Sequence, residues 1–592
     1  MPKNEENEEK CEMNPYYDLL KSWCDRLIEL QLTDTNEKIM TGGILCPSCA
    51  MIHGRIGDAV YPFVLLYDQT KDEKYLNAAK LVMRWTKNNT FRRVGCYGND
   101  KLSTWCATTA FFATALGKTL LYHGKCLDTD TYDAWYNEFL QMIAFCEDYL
   151  PKIGANINYY AAFSALNALA FKLTGNESYK PKAYHWAAYV KEQIDEDFLL
   201  AGEGEYGAVT PKGCVYVDLG YNVEESLVSL VEFAYFVGDD AYMQLAEKTY
   251  KAHIRFMLPD GAWDNSWGTR ANKWTYWGSR TSDGAGGALS ILAARDAVFA
   301  EAAERNFELL CRCTKNGHLF GGPMYASYGE APCVHHAFAH AKSLCDMINH
   351  GFSVKKHVPL PRDARNSLQS YLKQHVWLIS QGNLRVTATD CDAVCYKGAS
   401  VSGGTLSCVW HEKIGLVFYA VTAEYVQTES YNMQLSFTDL AMTNCAIRIV
   451  KDRTQSVNDK NAVMTVTQTD NMTHVHSDGI LKDISFVGHV PYSLDYEIYD
   501  NRIVLTATAG EDAVLYLPVV CDADEQPVLT DGVFSIKRAG GTVRIAASDQ
   551  AVQYESTNPV KHFHVIGGFG NVPICVKLSA GKPTRVFVEF GE

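Results

Sequence analysis

The chain has 592 residues, with 69 acidic against 54 basic side chains and a formal net charge of −15. That length calls for more than one core, and an acidic balance without any Lys/Arg block argues against nucleic acid or an anionic membrane surface as a partner. Hydrophobic residues make up 47%, which excludes a disordered class, and no apolar run approaches the roughly 20 residues of a membrane helix.

Residues 1–14 begin Met1-Pro-Lys-Asn-Glu-Glu and read as a disordered polar tail with no basic-then-apolar leader. The 19 cysteines place the chain either in the cytoplasm with reduced thiols, or in the periplasm with a leader removed ahead of this numbering. From 15 to 352, apolar residues recur at three- and four-residue spacing, as in Phe111-Phe112-Ala-Thr-Ala-Leu116-Gly-Lys-Thr-Leu120-Leu121. Helices are predicted near 15–33, 53–69, 72–88, 104–123, 129–149, 156–174, 177–195, 221–238, 239–257, 284–297, 299–314 and 334–350. Three turns share a signature: Thr70-Lys-Asp72-Glu-Lys-Tyr75, Thr174-Gly-Asn176-Glu-Ser-Tyr179 and Val237-Gly-Asp239-Asp-Ala-Tyr242. In each, Asp or Asn can cap the next helix, and the period of about 50–60 residues suggests paired helices closing into an (α/α)6 toroid. Residues 353–372, with Pro359 and Pro361, read as a linker. From 373 to 592 strand-like alternation takes over, as in Asn383-Leu-Arg-Val-Thr-Ala-Thr and Thr584-Arg-Val-Phe-Val-Glu-Phe, predicting an antiparallel β-sandwich.

Five stretches between helices gather polar, aromatic and Gly residues, where a barrel would build its mouth: 46–62, 156–160, 202–207 with 217–226, 263–284, and 318–325 with 332–340. In the fourth, four Trp, one Tyr and two Arg fall within eighteen residues. Trp267 and Tyr276 suit the face of a sugar ring, and Arg270 and Arg280, with Arg55, suit its carboxylate; bracing ion pairs to Asp264 and Asp283 are the plainer alternative. Glycosidic hydrolysis needs two carboxyl groups, and Glu203, between glycines, and Glu224, on a first helical turn, are chosen as acid and base. Asn156, Tyr159, Tyr221, His335 and His336 complete the expected substrate contacts. Cys46, Cys49 and His53 have the spacing of a partial zinc site that Cys333 could complete. Without a second Cys-x-x-Cys, buried thiols or a local disulfide are the simpler reading, and no cofactor is expected.

The segments Cys46-Pro-Ser-Cys49 to Ile52-His-Gly-Arg55, Val217-Asp-Leu-Gly-Tyr-Asn-Val-Glu-Glu-Ser226, Tyr276-Trp-Gly-Ser-Arg-Thr-Ser-Asp-Gly284 and Pro332-Cys-Val-His-His336 resemble glycoside hydrolase family 154. The likeness continues into Gly403-Gly-Thr-Leu-Ser-Cys-Val-Trp-His411. It implies a six-hairpin toroid with a heparinase II/III-like β-sandwich, and exo-release of a terminal β-linked glucuronic or galacturonic acid from a polysaccharide. The expected partner is a uronic-acid-containing oligosaccharide, with no nucleic acid or membrane; a homodimer stays open. A polysaccharide lyase of the same architecture is the alternative, cutting uronates by β-elimination with Asn156, Asn158, Tyr159, Tyr276 or His335. A non-catalytic carbohydrate-binding scaffold is the third reading.

Overall fold

The computed structural model describes residues 14–33, 36–202, 209–270, 273–396, 398, 400–427, 446–554, 561–564 and 566–591. The tail predicted to be disordered therefore lies, save Asn14, outside the described residues, as does Glu203.

Twelve helices of seven residues or more are present among the described residues: α1 (Pro15–Glu29), α2 (Val60–Thr70), α3 (Glu73–Asn89), α4 (Thr109–His123), α5 (Thr129–Tyr149), α6 (Ile157–Thr174), α7 (Tyr179–Lys191), α8 (Leu227–Val237), α9 (Asp240–Ile254), α10 (Gly286–Leu292), α11 (Ala297–Arg312) and α12 (Val334–Asn349). They form two concentric rings. The inner one runs α2, α4, α6, α8, α10, α12 and back to α2; α3, α5, α7, α9, α11 and α1 back it in turn. Composition sorts the helices between rings. Inner α6 and α8 are apolar almost all round and buried along most of their length. Outer α3 buries one stripe, Tyr75, Ala78, Ala79, Val82 and Trp85, and leaves its polar face to water.

Capping follows the rings for most helices, the exception being outer α7, which has no side-chain cap. Outer α3, α5, α9 and α11 start from Asp72, Asp128, Asp239 and Asp296, whose carboxylates accept backbone N–H bonds. Inner α2, α4, α6, α10 and α12 have no side-chain cap. In place of a simple start, α8 is preceded by a turn at Leu219–Tyr221 and a π-helical turn at Asn222–Ser226.

The β layer holds three antiparallel sheets. In the five-stranded one, consecutive strands pair side by side from Asn366–Tyr371 to Gly415–Tyr419. Eight- and six-stranded sheets follow, and Val386, Val409, Leu494, Leu505, Leu515 and Ile574 form part of the core between them. Strand Pro491–Tyr499 alternates buried and less buried positions, as a sheet covered on one face requires. The first strand starts at Asn366, inside the stretch read as a linker: its Asn-Ser-Leu-Gln-Ser-Tyr sequence is an edge strand too polar to stand out in the sequence.

Layer and toroid meet at residues 263–266 and 274–276. Trp274 stacks on Tyr419 with ring centroids 4.4 Å apart and planes 6° from parallel. Asp264 accepts bonds from Thr387 at 2.5 Å and Arg362 at 3.4 Å, and the Ser266 hydroxyl donates to Ser407 at 2.8 Å. Among the described residues, no helix is long and apolar enough to cross a membrane.

Candidate active site

At one end of the toroid a cleft of about 330 Å3 opens, lined from six segments: Met51 and His53–Arg55; Asn99, Asp100, Ser103, Trp105, Thr108 and Phe111; Asn156, Asn158 and Tyr159; Tyr221 and Glu225; Arg270, Lys273 and Thr281; and His335. Each of these segments leads into the N-terminal end of an inner helix. The parallel inner helices thus turn the positive ends of their dipoles toward this rim, where an anionic ligand is favoured.

The floor is ionic. Arg55, on the turn Gly54–Ala59 ahead of α2, pairs with Asp58 at 2.7 Å and Asp283 at 2.8 Å, and donates to the Thr281 carbonyl at 2.7 Å. Lys342 on α12 bridges the same Asp58 and Asp283, each at 2.8 Å. Further down the barrel axis, Lys118 joins Glu232 at 2.5 Å and Asp346 at 2.7 Å. Arg55 is therefore committed to its own carboxylates, and its guanidinium also lies 4.6 Å over the Phe111 ring.

Glu225 projects into the cleft from the π-helical turn. It accepts a bond from the Asn158 amide at 2.7 Å and lies 3.7 Å from Arg55. Burial, then repulsion from Asp283, pushes its pKa up to about 8 against the pull of Arg55, so the group holds a proton at neutral pH. For Asp283, burial works the other way but Lys342 and Arg55 outweigh it, and the carboxylate stays below its usual range.

The walls carry hydroxyls and cations. Tyr159 accepts the Trp105 indole N–H at 2.9 Å, and burial lifts its pKa to about 12. The Tyr221 hydroxyl bonds the Thr281 hydroxyl, and burial holds its proton well above the usual range, opposed by the Arg270 guanidinium 4.3 Å over its ring. Arg270 has a left-handed backbone at φ 51°, a strained choice for a residue with a side chain. A turn from the Arg270 carbonyl to the Lys273 N–H keeps both cations at the cleft. His335, on the first turn of α12, has neither ring nitrogen hydrogen-bonded, and burial, with Arg55 foremost among nearby cations, keeps it neutral.

Arg55, Asn156, Tyr159, Tyr221, Arg270 and His335 thus line the cleft, whereas Glu224, Trp267, Tyr276, Arg280 and His336 do not. Glu224 is fully buried behind its neighbour, accepting from the Ser279 amide at 2.7 Å and the Ser282 hydroxyl at 2.5 Å, with His340 at 3.3 Å. It reaches them across Gly278, where a Cβ would sit 2.0 Å from its carboxyl carbon. The aromatic stretch expected to stack on sugar is instead the seam between toroid and β layer. Trp267 donates to the Asp264 carbonyl at 3.0 Å and packs on Phe256, Tyr276 donates to Asp260 at 2.8 Å, and Arg280 donates to Tyr325 at 3.1 Å. His336 packs edge-on to Trp277 beside Gly321. Conversely, the segment from Asn99 to Phe111, absent from the five stretches, forms one whole wall. Its place in the repeat, directly ahead of an inner helix, is the signal that could have found it.

Among the described residues, the carboxyl groups lining the cleft are Glu225 and Asp100, and Asp100 accepts the Leu102 and Ser103 amides at 2.8 Å each. Residues 20–363 match the ulvan lyase N-terminal domain and residues 368–590 the ulvan lyase C-terminal domain. The chain belongs to the ulvan lyase family. A broad-specificity ulvan lyase of Formosa agariphila is 36% identical over 585 residues, covering 94% of this chain and 90% of that one. Among solved structures, chondroitin AC lyase of Streptomyces coelicolor A3 matches with a TM-score of 0.50 and 12% identity, over 98% of this chain and 83% of that one, a likeness of fold. Heparan sulfate lyase HepC of Pedobacter heparinus, as a mutant, gives a TM-score of 0.49 and 11% identity over 97% and 83%.

Membership in the ulvan lyase family corrects the resemblance to glycoside hydrolase family 154, and with it the expectation of a hydrolase releasing glucuronic or galacturonic acid. The segments that carried the resemblance lead into inner helices or lie in the β layer, positions that a shared architecture constrains whichever bond is cut.

Proposed function

We propose that this chain is a polysaccharide lyase that cuts a uronate-containing polymer of the ulvan class by β-elimination. Arg270 and Lys273 receive the uronate carboxylate and draw charge from it, which acidifies the C5 proton. Protonated Glu225 donates a hydrogen bond to the same carboxylate. His335 accepts the C5 proton, the C5–H electron pair forms the C4–C5 double bond, and the C4–O bond breaks. Tyr221 gives its hydroxyl proton to the departing oxygen and regains one from the imidazolium through solvent. No water is added, so one product ends in an unsaturated uronate and the other in a free hydroxyl.

One observation supports this reading above the rest. The cleft of an ulvan lyase family chain sets Tyr159, Tyr221 and the unbonded imidazole of His335 beside Arg270 and Lys273. A hydrolase would need a second carboxyl group poised across the bond, and Asp100 is held by its own turn. The test is to incubate the purified chain with ulvan, following ultraviolet absorbance and product masses together. Elimination gives rising absorbance and products lighter by one water than hydrolysis products; new reducing ends without absorbance would overturn it.

A further inference from the structure

Three thiols and one imidazole converge beside the cleft. Cys46 and Cys49 lie on the turn ahead of α2, His53 starts the helical turn Gly54–Ala59, and Cys333 is the N-cap of α12 at the far end of the toroid sequence. Cys46, His53 and Cys333 are buried and Cys49 half-buried. One ligand atom from each, three Sγ and a ring nitrogen, lies within 4.8 Å of all the others.

The separations match a coordination shell. Cys49 Sγ is 3.8 Å from Cys333 Sγ, and Cys333 Sγ is 3.5 Å from His53 Nε2. Tetrahedral zinc with bonds of about 2.3 Å to sulfur and 2.0–2.1 Å to nitrogen has edges of about 3.8 Å between sulfurs and about 3.6 Å between sulfur and nitrogen. A disulfide would bring two of the sulfurs to about 2.05 Å and leave the third thiol and the imidazole without a role. The Cys49 amide also points at Cys46 Sγ, 3.4 Å away, the bond that steadies a thiolate in a Cys-x-x-Cys turn.

We propose that Cys46, Cys49, His53 and Cys333 bind one zinc ion. Four protein ligands fill a tetrahedral shell, so the ion is structural. It fastens the loop leading into the first inner helix to the start of the last, where the ring closes on itself. Arg55 follows His53 by two residues and His335 follows Cys333 by two, and both line the cleft. The ion thereby sets the spacing of two cleft residues that the chain carries far apart.

Metal analysis of the full chain, purified without chelator or added metal, tests this. About one zinc per chain is expected. Protein made in cobalt-supplemented medium should show the sulfur-to-cobalt charge-transfer band and the intense visible bands of a tetrahedral thiolate site. Cys333→Ser and Cys49→Ser should lose the metal, whereas His53→Cys should keep it with a shifted cobalt spectrum. Wild-type protein without zinc and without the cobalt bands overturns the proposal, even where the serine variants do not fold. Full zinc content in a soluble serine variant overturns it too.

Discussion

Glu225→Gln replaces a buried acid by its neutral isostere, and the structure sets how stability should respond to pH. The folded chain holds the Glu225 proton up to about pH 8, because burial and Asp283 oppose its charge, while the unfolded chain releases it near the ordinary glutamate value of 4.5. A raised folded pKa means that the unfolded state sheds its proton first. Stability therefore falls as pH rises from the unfolded value to the folded one, then levels off. At 1.36 kcal/mol per unit, the whole window is worth roughly 5 kcal/mol, and the part between pH 6.5 and 8.5 on the order of 2 kcal/mol. Glutamine carries no such term. Glu232, pushed up to about 7 chiefly by burial, titrates in wild type and variant alike, so the difference between their slopes isolates Glu225. Urea unfolding of both proteins at pH 6.5, 7.5 and 8.5 reads that difference. The variant should lose about 2 kcal/mol less than wild type across the series. Parallel slopes would show that Glu225 is ionised in the folded chain, and its role as hydrogen-bond donor to the uronate would fall with them.

Three further outcomes are expected. Arg270→Ala should cut kcat/KM on a uronate polymer about 100-fold, near 3 kcal/mol of transition-state binding, while the folded chain, followed by melting temperature, persists. Tyr221→Phe keeps the ring under Arg270 but removes the donated proton; kcat for appearance of the unsaturated product should drop about 100-fold or more while KM holds. Lys118→Met leaves Glu232 and Asp346 facing each other on the barrel axis without their cation, and should destabilise the fold by about 3–5 kcal/mol, read as a fall in urea midpoint.

The toroid was legible because most of its helices obey one spacing over three or more turns, and because Asp72 and Asp239 cap where the repeated turn put them. The cleft was legible in part, since the stretches around Arg55, Asn156, Tyr221, Arg270 and His335 all precede inner helices. Glu224 and Glu225 could not be told apart: a π-helical turn sets which neighbour faces the cleft, and nothing in Tyr-Asn-Val-Glu-Glu-Ser encodes that turn. Trp267, Tyr276 and Arg280 misled for another reason. Their partners are Asp264, Asp260 and Tyr325, and the seam around them is roofed by Thr387, Ser407 and Tyr419, more than a hundred residues further on. Local composition cannot report a cover that arrives from so far along the chain.

The seam at Trp274 and Tyr419 bears on how such a chain can evolve. The hairpin Trp274–Ser279 carries the Ser279 amide that holds Glu224, and its other face is clamped by the β layer. A toroid inherited without that layer would set bare indole and phenol rings in water and slacken the turn beneath Glu225. Gene fragments encoding either half are therefore poor currency for recombination, and drift in one half should be answered by compensating change in the other at Trp274, Tyr276, Tyr419 and Phe569.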